Sequence, residues 1–385
     1  MTPAARVQAA IEVLDDILAG QAAEQALSRW ARRSRFAGSK DRAAVRDHVF
    51  DALRCKRSAG TLGGGHNGRA IMLGLVRAQA ADADGLFNGD RYAPAALSAA
   101  EAAFEPHSMS LADRWNLPDW IVPHFQTSLG DHAEETALLL QQRGPVSLRV
   151  NRRRGTLKDA VQALQADGIE VEPVATAPDA LRVTAGARAI RRGAAFLDGL
   201  VELQDIHSQA VVAGLPEPAS VLDICAGGGG KSLALADQYD CRVFASDIDV
   251  NRMKDIPERA KRAQVSVTVL AEQDRAAHAP YDVVLCDAPC SGSGAWRRAP
   301  EAKWALTPDR LAELTRLQSK VLSTAVTFVA PHGTLVYATC SVLAGENEHQ
   351  VEAFLAQHPD WQCVSQHRYP VTQQADGFFV AHLKR

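Results

Sequence analysis

Along residues 5–57 the apolar side chains recur every three or four positions. This is the period with which one face of an α-helix repeats, so the pattern predicts amphipathic helices. The positions that define the period are Val7, Ile11, Leu14, Leu18, Val45, Val49 and Leu53. Further helices are expected up to residue 140, with breaks at Pro118 and Pro123. We therefore predict a helical domain over residues 1–140.

The pattern changes after Gly144 and Pro145. Short apolar runs predict strands, and one intervening stretch has the period of a helix. The predicted strands are 146–150, 169–171 and 180–183, and the predicted helix is 158–166. We therefore predict a small α+β segment, RRM-like in character, over residues 141–195.

From residue 196 onward, apolar runs typical of strands alternate with helical periodicity. The predicted strands are 220–224, 242–246, 266–270, 281–286 and 333–338. Such alternation is typical of a parallel, doubly wound sheet with helices on both faces. The predicted fold class is α/β, with residues 196–385 as its largest domain.

Composition restricts the class of protein. The chain has 385 residues, of which 46% are hydrophobic and 23% charged, and this balance excludes intrinsic disorder and fibrous structure. The sequence contains no long uncharged apolar run, and Asp15 and Asp16 lie where a signal peptide carries no acid. We expect a cytoplasmic protein that does not associate with membranes.

Seven cysteines are spread along the chain. Their odd number and low density argue against a disulfide framework, and the absence of a CxxC spacing argues against a zinc site. The residues are Cys55, Cys225, Cys241, Cys286, Cys290, Cys340 and Cys363. We expect free thiols and no bound metal.

The net charge of −3 conceals an uneven distribution of basic residues. Residues 29–57 contain a cluster opposed by three acids: Arg29, Arg32, Arg33, Arg35, Lys40, Arg42, Arg46, Arg54, Lys56 and Arg57 against Asp41, Asp47 and Asp51. Smaller clusters consist of Arg149, Arg152, Arg153 and Arg154, and of Arg188, Arg191 and Arg192. A single cluster is equally well explained as a solvated helix face, whereas three together favour a polyanionic partner.

The predicted strand 220–224 leads into four consecutive glycines, Gly227–Gly230, which are followed by Lys231 and Ser232. Glycine permits a tight turn and lets backbone amides approach a ligand at the N-terminus of the next helix. A P-loop is disfavoured, because Cys225 occupies the position of its first glycine. The dinucleotide-binding fingerprint also matches imperfectly, because it requires a glycine at Ser232.

S-adenosylmethionine is the third candidate ligand for this turn, and the two objections above do not apply to it. Its binding fold uses a looser glycine turn and an acid after the second strand, which binds the ribose hydroxyls. Asp247 has that position, just after the strand 242–246, and Asp249 is the competing candidate. The alternative for either aspartate is the N-cap of the helix that follows.

Two cysteines follow predicted strands directly. Cys290 lies in Asp287-Ala-Pro-Cys-Ser-Gly after the strand 281–286, and Cys340 lies in Thr-Cys-Ser after the strand 333–338. Because ligands bind at the carboxyl edge of an open parallel sheet, both thiols are expected to face one substrate. One cysteine alone is more often buried packing. Two of them beside a cofactor turn, with Asp287 and Lys231 nearby, favour a catalytic role.

With these motifs the chain resembles the RsmB/Sun family of RNA cytosine-C5 methyltransferases over residues 143–385. The segments that carry the resemblance are 199–205, 225–231, 287–292, 297–304, 337–342 and 376–379. The helical N-terminus is similar to the NusB-type RNA-binding domain of the family's ribosomal members. One departure is present: the family's cofactor turn usually reads Cys-Ala-Ala-Pro-Gly-Gly-Lys, and Gly227 and Gly228 replace its second alanine and its proline.

The resemblance implies a Rossmann-like class I methyltransferase core that uses S-adenosylmethionine. In the family's mechanism, Cys340 is the nucleophile that adds to C6 of cytosine, because C5 is too weak a nucleophile unaided. Asp287 hydrogen-bonds N3 and the exocyclic amine, and Cys290 takes part in release of the product. The cofactor-binding residues implied are Cys225, Ala226, Gly227, Gly228, Gly229, Gly230, Lys231, Asp247, Asp274 and Asp287.

The partner implied is ribosomal RNA of the small subunit. Transfer RNA is the nearest rival, and a non-catalytic RNA-binding assembly factor is the alternative from another class. A DNA cytosine methyltransferase is disfavoured, because that class usually lacks the later Thr-Cys motif. The target base must be unstacked for the thiolate to reach C6, so we expect a loop or junction as substrate. We also expect a monomeric enzyme.

Overall fold

The structure is a computed structural model that describes residues 1–385. It contains two compact units, one formed by residues 1–143 with 296–306 and the other by residues 144–295 with 307–385. The sequence did not predict that residues 296–306 join the helical unit. The proposed division at residues 140/141 and 195/196 stays a prediction.

Eighteen α-helices are present. In chain order they are α1 (Pro3–Leu18), α2 (Ala23–Arg33), α3 (Ser39–Arg54), α4 (Lys56–Gly63), α5 (Gly68–Ala78), α6 (Ala83–Leu86), α7 (Ala99–Ala102), α8 (Leu111–Trp115), α9 (Val122–Leu129), α10 (Ala133–Leu139), α11 (Leu157–Ala166), α12 (Ala194–Leu197), α13 (Ile206–Ala213), α14 (Gly230–Gln238), α15 (Ile256–Ala263), α16 (Pro300–Ala305), α17 (Pro308–Ala325) and α18 (Glu348–Gln357). None of them combines the length and apolar character that spanning a bilayer requires.

Eleven strands form two sheets. They are β1 (Ser147–Val150), β2 (Glu170–Pro173), β3 (Ala180–Ala185), β4 (Val201–Leu203), β5 (Ser220–Asp223), β6 (Arg242–Ser246), β7 (Thr268–Leu270), β8 (Tyr281–Asp287), β9 (Val329–Thr339), β10 (Gln362–Tyr369) and β11 (Phe378–Lys384). Short 3-10 helices occupy Asp119–Ile121, Gly130–His132, Ala187–Arg192, Val250–Met253, Glu272–His278, Val326–Phe328 and Ala344–Glu346.

The core of the helical unit lies among α1, α2, α3 and α5. The positions that set the helical period are buried there, as in Val7, Leu14, Val45 and Val49. Apolar side chains on one face of each helix leave water by packing against the others, which is the main stabilising term for such a bundle.

Helices α4 and α5 approach each other closely because glycines face each other at their contact. A Cβ on Gly63 would overlap the carbonyl oxygen of Ala70, and a Cβ on Gly74 would overlap that of Ala59. The glycine-rich stretch that begins at Thr61 therefore serves helix packing as well as the turn that follows.

Residues 296–306 complete the core of the helical unit. Trp296 is 1% exposed, and its ring stacks on that of Phe125 with centroids 5.7 Å apart. The Trp304 Nε1–H donates to the Leu53 carbonyl at 2.7 Å, and the Arg54 Nε–H donates to the Arg297 carbonyl at 2.7 Å. A segment distant in sequence thus supplies both apolar surface and hydrogen bonds to α3 and α9.

In the second unit, a small antiparallel sheet has the order β2-β3-β1-β4. Its buried residues include Leu148, Leu181 and Val201, and α11 packs against them through Ala160 and Leu164. Strand β4, which follows the predicted segment 141–195, pairs with β1 in this sheet.

The large sheet has the order β10-β11-β9-β8-β5-β6-β7. Strands β5 to β9 are parallel and correspond to the five predicted strands. The Rossmann-like core with helices at the N-terminus is thereby confirmed. The sheet as a whole is mixed, because β10 and β11, which the sequence did not predict, form an antiparallel hairpin and β11 runs antiparallel to β9. Most of β10 is exposed and polar, so it lacks the apolar run by which the other strands are recognised.

Candidate functional site

The glycine turn lies between β5 and α14, at the carboxyl edge of the parallel strands. Strand β5 pairs with β6 on one side and β8 on the other, so the order of strands reverses here, and ligands bind in such a crevice. Gly227 has φ 50° and Gly229 has φ 80°, a left-handed backbone that glycine adopts at no steric cost. A Cβ added at Gly230 would meet nothing within 4 Å, so the first turn of α14 has open space beside it.

Asp247 supports this turn from the end of β6. It is 2% exposed, and its Oδ2 accepts the Gly227 amide at 2.9 Å while its Oδ1 accepts the Asp249 amide at 2.9 Å. Arg252 Nη1 lies 3.2 Å from Oδ2. Asp249, the competing candidate, caps the next 3-10 helix by accepting the Asn251 amide. The N-cap alternative therefore describes Asp249, and Asp247 is the acid that contacts the glycine turn.

Asp223, at the end of β5, is an acid that the motif analysis missed. It is buried, its Oδ2 accepts a hydrogen bond from Ser232 Oγ at 2.7 Å, and its Oδ1 has no hydrogen-bond partner. Burial raises the pKa of this carboxyl to about 7. An acid at the end of the predicted strand, four positions before the first glycine, was the available signal. An unpaired buried oxygen at the base of the turn fits a polar ligand group.

Lys231 and Asp287 form an ion pair across the switch point. Lys231 Nζ, from the first turn of α14, lies 2.7 Å from Asp287 Oδ2 at the end of β8. Burial of Lys231 opposes its protonation, but the charge of Asp287, the hydrogen bond to it and the neighbouring Cys340 together raise the pKa of the lysine. The ammonium also lies 5.2 Å from the centre of the Phe378 ring. The charged form of Lys231 is thus held beside the two cysteine motifs.

Cys290 and Cys340 lie together, with their Sγ atoms 3.5 Å apart. Their strands β8 and β9 are neighbours in the sheet, so residues after the two carboxyl ends meet although fifty positions separate them. The hydrogen bond with Cys340, burial and the charge of Cys340 raise the pKa of the Cys290 thiol well above its usual value. All seven cysteines are free thiols.

Asp274 is exposed in the 3-10 helix that follows β7. Its neighbour Arg275 is buried, donates to Ser246 Oγ at 2.8 Å, and so fixes this helix to the end of β6. No three histidine, cysteine or acidic side chains are grouped closely enough to hold a metal ion.

Several arginines of the first two basic clusters are bound to acids of the protein. In the first cluster, Arg54 is buried and pairs with Asp51, and the half-buried Arg57 pairs with Asp113. In the second, Arg149 is buried in an ion pair with Asp237. The charges of these arginines are matched within the fold.

Four other cations of the first cluster lie on α2 or directly after it. Arg29, Arg32 and Arg33 lie exposed along one face of the helix, and Arg35 follows it. The only acid of α2, Glu24, is bound to Arg46. We call these four arginines the α2 basic face.

Comparison with known protein families decides the affiliation of the chain. The model of the 16S rRNA methyltransferase RsmB/F family matches residues 211–384. The model of the ferredoxin-like domain of RsmF/B-like methyltransferases matches residues 117–189. This chain belongs to the RsmB/F methyltransferase family.

Individual members of the family are similar in sequence to this chain over most of its length. The ribosomal RNA small subunit methyltransferase B of Serratia proteamaculans is 33% identical over 286 residues, which cover 70% of the chain. The chain spans 66% of the length of that relative. Among solved structures, PH0851 has a TM-score of 0.78 at 22% identity, with 100% of this chain and 99% of that one covered. A methyltransferase homolog from Pyrococcus horikoshii has a TM-score of 0.62 at 24% identity, covering 71% of this chain and 97% of that protein. These two likenesses show the fold.

Proposed function

We propose that this chain transfers a methyl group from S-adenosylmethionine to C5 of a cytosine in RNA. The observation that carries the proposal is the pair of thiols 3.5 Å apart, beside an ion pair of 2.7 Å between Lys231 and Asp287. Membership of the RsmB/F family and the name of the Serratia relative support ribosomal RNA of the small subunit as the substrate.

The residues at the turn fit S-adenosylmethionine, which supplies the methyl group when bound. Residues 225–231 provide backbone amides and open space beside Gly230 for its amino-acid end. Asp247 is the proposed partner of the ribose and Asp274 that of the adenine. Asp287 borders the same crevice from β8.

Cytosine requires activation before C5 accepts a methyl group. We assign Cys340 as the nucleophile: its thiol loses its proton, the sulfur bonds to C6, and the electron pair displaced from the C5–C6 bond makes C5 nucleophilic. N3 takes up a proton in this step, which balances the proton lost by the thiol. The Asp287 carboxylate, which is bound to Lys231, accepts hydrogen bonds from the protonated N3 and the exocyclic amine and so stabilises the adduct.

Release requires a base for the proton on C5, and we assign that role to Cys290. Cys290 Sγ lies 3.5 Å from Cys340 Sγ, so it is next to the adduct that Cys340 forms. Cys290 acts as a thiolate, its own proton having passed to solvent, and accepts the C5 proton. The electrons of that C–H bond restore the C5–C6 double bond as the Cys340 sulfur leaves.

The α2 basic face is the proposed sequence-independent contact with the RNA backbone. Exposed arginines neutralise phosphates and release counterions, so binding through this face falls as salt concentration rises. The target base itself must leave its stack to reach Cys340, which favours a loop or junction of the RNA.

The test is methylation of defined RNAs by the purified chain. It is incubated with radiolabelled S-adenosylmethionine and, separately, unmodified small-subunit ribosomal RNA and bulk transfer RNA, and the labelled nucleoside is identified after digestion. We expect 5-methylcytidine in ribosomal RNA. Label in transfer RNA alone would overturn the substrate, and no label in either RNA, with cofactor binding intact, would favour a non-catalytic assembly factor or an assembling particle as substrate.

A further inference from the structure

The same residue type follows both cysteines of the site. Ser291 comes directly after Cys290, and Ser341 comes directly after Cys340. The proposed chemistry uses neither hydroxyl. Ser291 is 8% exposed and Ser341 is 1% exposed, so their shared function is internal to the protein.

Both serines bind one carboxylate. Glu346 Oε2 accepts the Ser291 Oγ hydroxyl at 2.5 Å and the Ser341 Oγ hydroxyl at 2.5 Å. Its Oε1 accepts the Ser291 amide at 2.8 Å and Gln318 Nε2 at 3.0 Å. Each oxygen thus accepts two hydrogen bonds, and none of the four donors is a cation.

Glu346 is itself held in place. It is 0% exposed, and its carbonyl accepts the Tyr337 hydroxyl, from β9, at 2.6 Å. Gln318, from α17, also donates to the Pro289 carbonyl at 2.9 Å, next to Cys290. A buried carboxylate is costly unless hydrogen bonds replace its hydration, so these donors and the acid hold one another in a single arrangement.

We propose that Glu346 is a positioning residue that holds Cys290 and Cys340 at their working distance, by binding the serine after each cysteine. The two thiols lie on separate loops after β8 and β9, with their sulfur atoms 3.5 Å apart. The Gly294 amide, which donates to the Cys340 carbonyl at 2.9 Å, also joins these loops. Glu346 differs from that contact because it binds the residue after each cysteine at once. The catalytic consequence rests on the proposed function, whereas the spacing of the thiols does not.

Phenylarsine oxide reports whether the two thiols lie close enough together to bind one arsenic atom. Its arsenic forms a bond with each of two neighbouring thiolates, while its oxygen leaves as water with the two thiol protons, and no atom is oxidised or reduced. The full-length chain is titrated with the arsenical, and the chelate is assigned to the pair by its loss in Cys290→Ser. Calorimetry with S-adenosylmethionine on the same samples reports the cofactor site.

The decisive variant is Glu346→Ala, compared with Glu346→Gln and with the matched control Glu348→Ala. The Glu348 carboxylate binds Arg368 and contacts neither serine. We expect Glu346→Ala to bind the arsenical at least about tenfold more weakly, with cofactor affinity within about twofold of wild type. For Glu346→Gln we expect an affinity for the arsenical between those of wild type and Glu346→Ala. Its side-chain amide still accepts from the Ser291 amide and can donate to the rotatable serine hydroxyls. Glu348→Ala is expected to match wild type.

Unchanged arsenical binding by Glu346→Ala would overturn the proposal, and so would a parallel loss of cofactor binding, which would make Glu346 a general structural residue. If Glu346→Ala does not fold, Ser341→Ala replaces it, with an expected weakening of about threefold. In the methylation assay, kcat should fall at least about tenfold with KM for the cofactor unchanged. Should the wild type methylate neither free RNA nor an assembling ribosomal particle, the proposed function fails and the arsenical titration still decides the role of Glu346.

Discussion

Proline at position 228 is expected to tighten cofactor binding. Gly228 is one of four glycines in the turn, but unlike Gly227 and Gly229 it does not have the left-handed backbone. A Cβ added there first meets Arg259 Nη1 at 3.4 Å, the far end of a flexible side chain. A Cβ at position 228 therefore has space, and the backbone is not in the left-handed region that proline cannot adopt. Proline restores the residue that the family resemblance gives at this position.

The magnitude follows from conformational entropy. A glycine that must be ordered on binding loses more backbone freedom than a proline, and one such replacement at a compatible site is worth about 1 kcal/mol. This corresponds to a Kd for S-adenosylmethionine lowered about fivefold. Titration calorimetry should show the gain in the entropic term.

Gly229→Pro is the matched control. Its φ of 80° lies far from the value that proline requires, and an added Cβ would lie 2.7 Å from Ile256 Cγ1. We expect this variant to lose cofactor binding. Equal or weaker affinity of Gly228→Pro, in a protein that unfolds at the wild-type temperature, would refute the entropic argument.

Three further predictions concern the two cysteines of the site, Trp296 in the segment 296–306, and the buried acid Asp223. Cys340→Ser should bind RNA but transfer no methyl group, and wild-type turnover by this variant would overturn its assignment as the nucleophile. Cys290→Ser should accumulate a covalent RNA adduct visible on a denaturing gel, and the absence of that adduct would overturn its role in release. Trp296→Ala should destabilise the helical unit by about 3 kcal/mol, because it empties the site against Phe125, and denaturant unfolding followed by circular dichroism would test this. Burial raises the pKa of Asp223 above its unfolded value to about 7, so its protonated form stabilises the fold at low pH and this stability is lost as pH rises through about 7. Asp223→Asn should remove this pH dependence. The free energy of unfolding of each protein is measured at pH 5 and at pH 8, and an equal change between these pH values in both proteins would contradict the reasoning.

Local pattern was sufficient for most of the elements. The helical period of residues 5–57 and the five apolar runs from residue 220 onward became α1 to α3 and β5 to β9, because burial of one face repeats with the period of the backbone. The glycine turn and the two cysteines were recognisable for the same reason, since each motif follows a strand directly. The arginines of residues 29–57 gave no such guide, because Arg29 and Arg57 look alike in the sequence and only Arg57 has acids at its side.

Tertiary structure decided which of these residues meet. The 3.5 Å between Cys290 and Cys340 depends on β8 and β9 being neighbours, and composition cannot specify strand order. Trp296 fills the helical core more than 150 residues from Phe125, and Glu346 binds Ser291 from fifty-five positions away. Periodicity reports only how a residue relates to its own helix or strand. Contacts between distant segments are set by chain topology and packing, and they determine which charges are buried, which thiols are paired and which acid holds them.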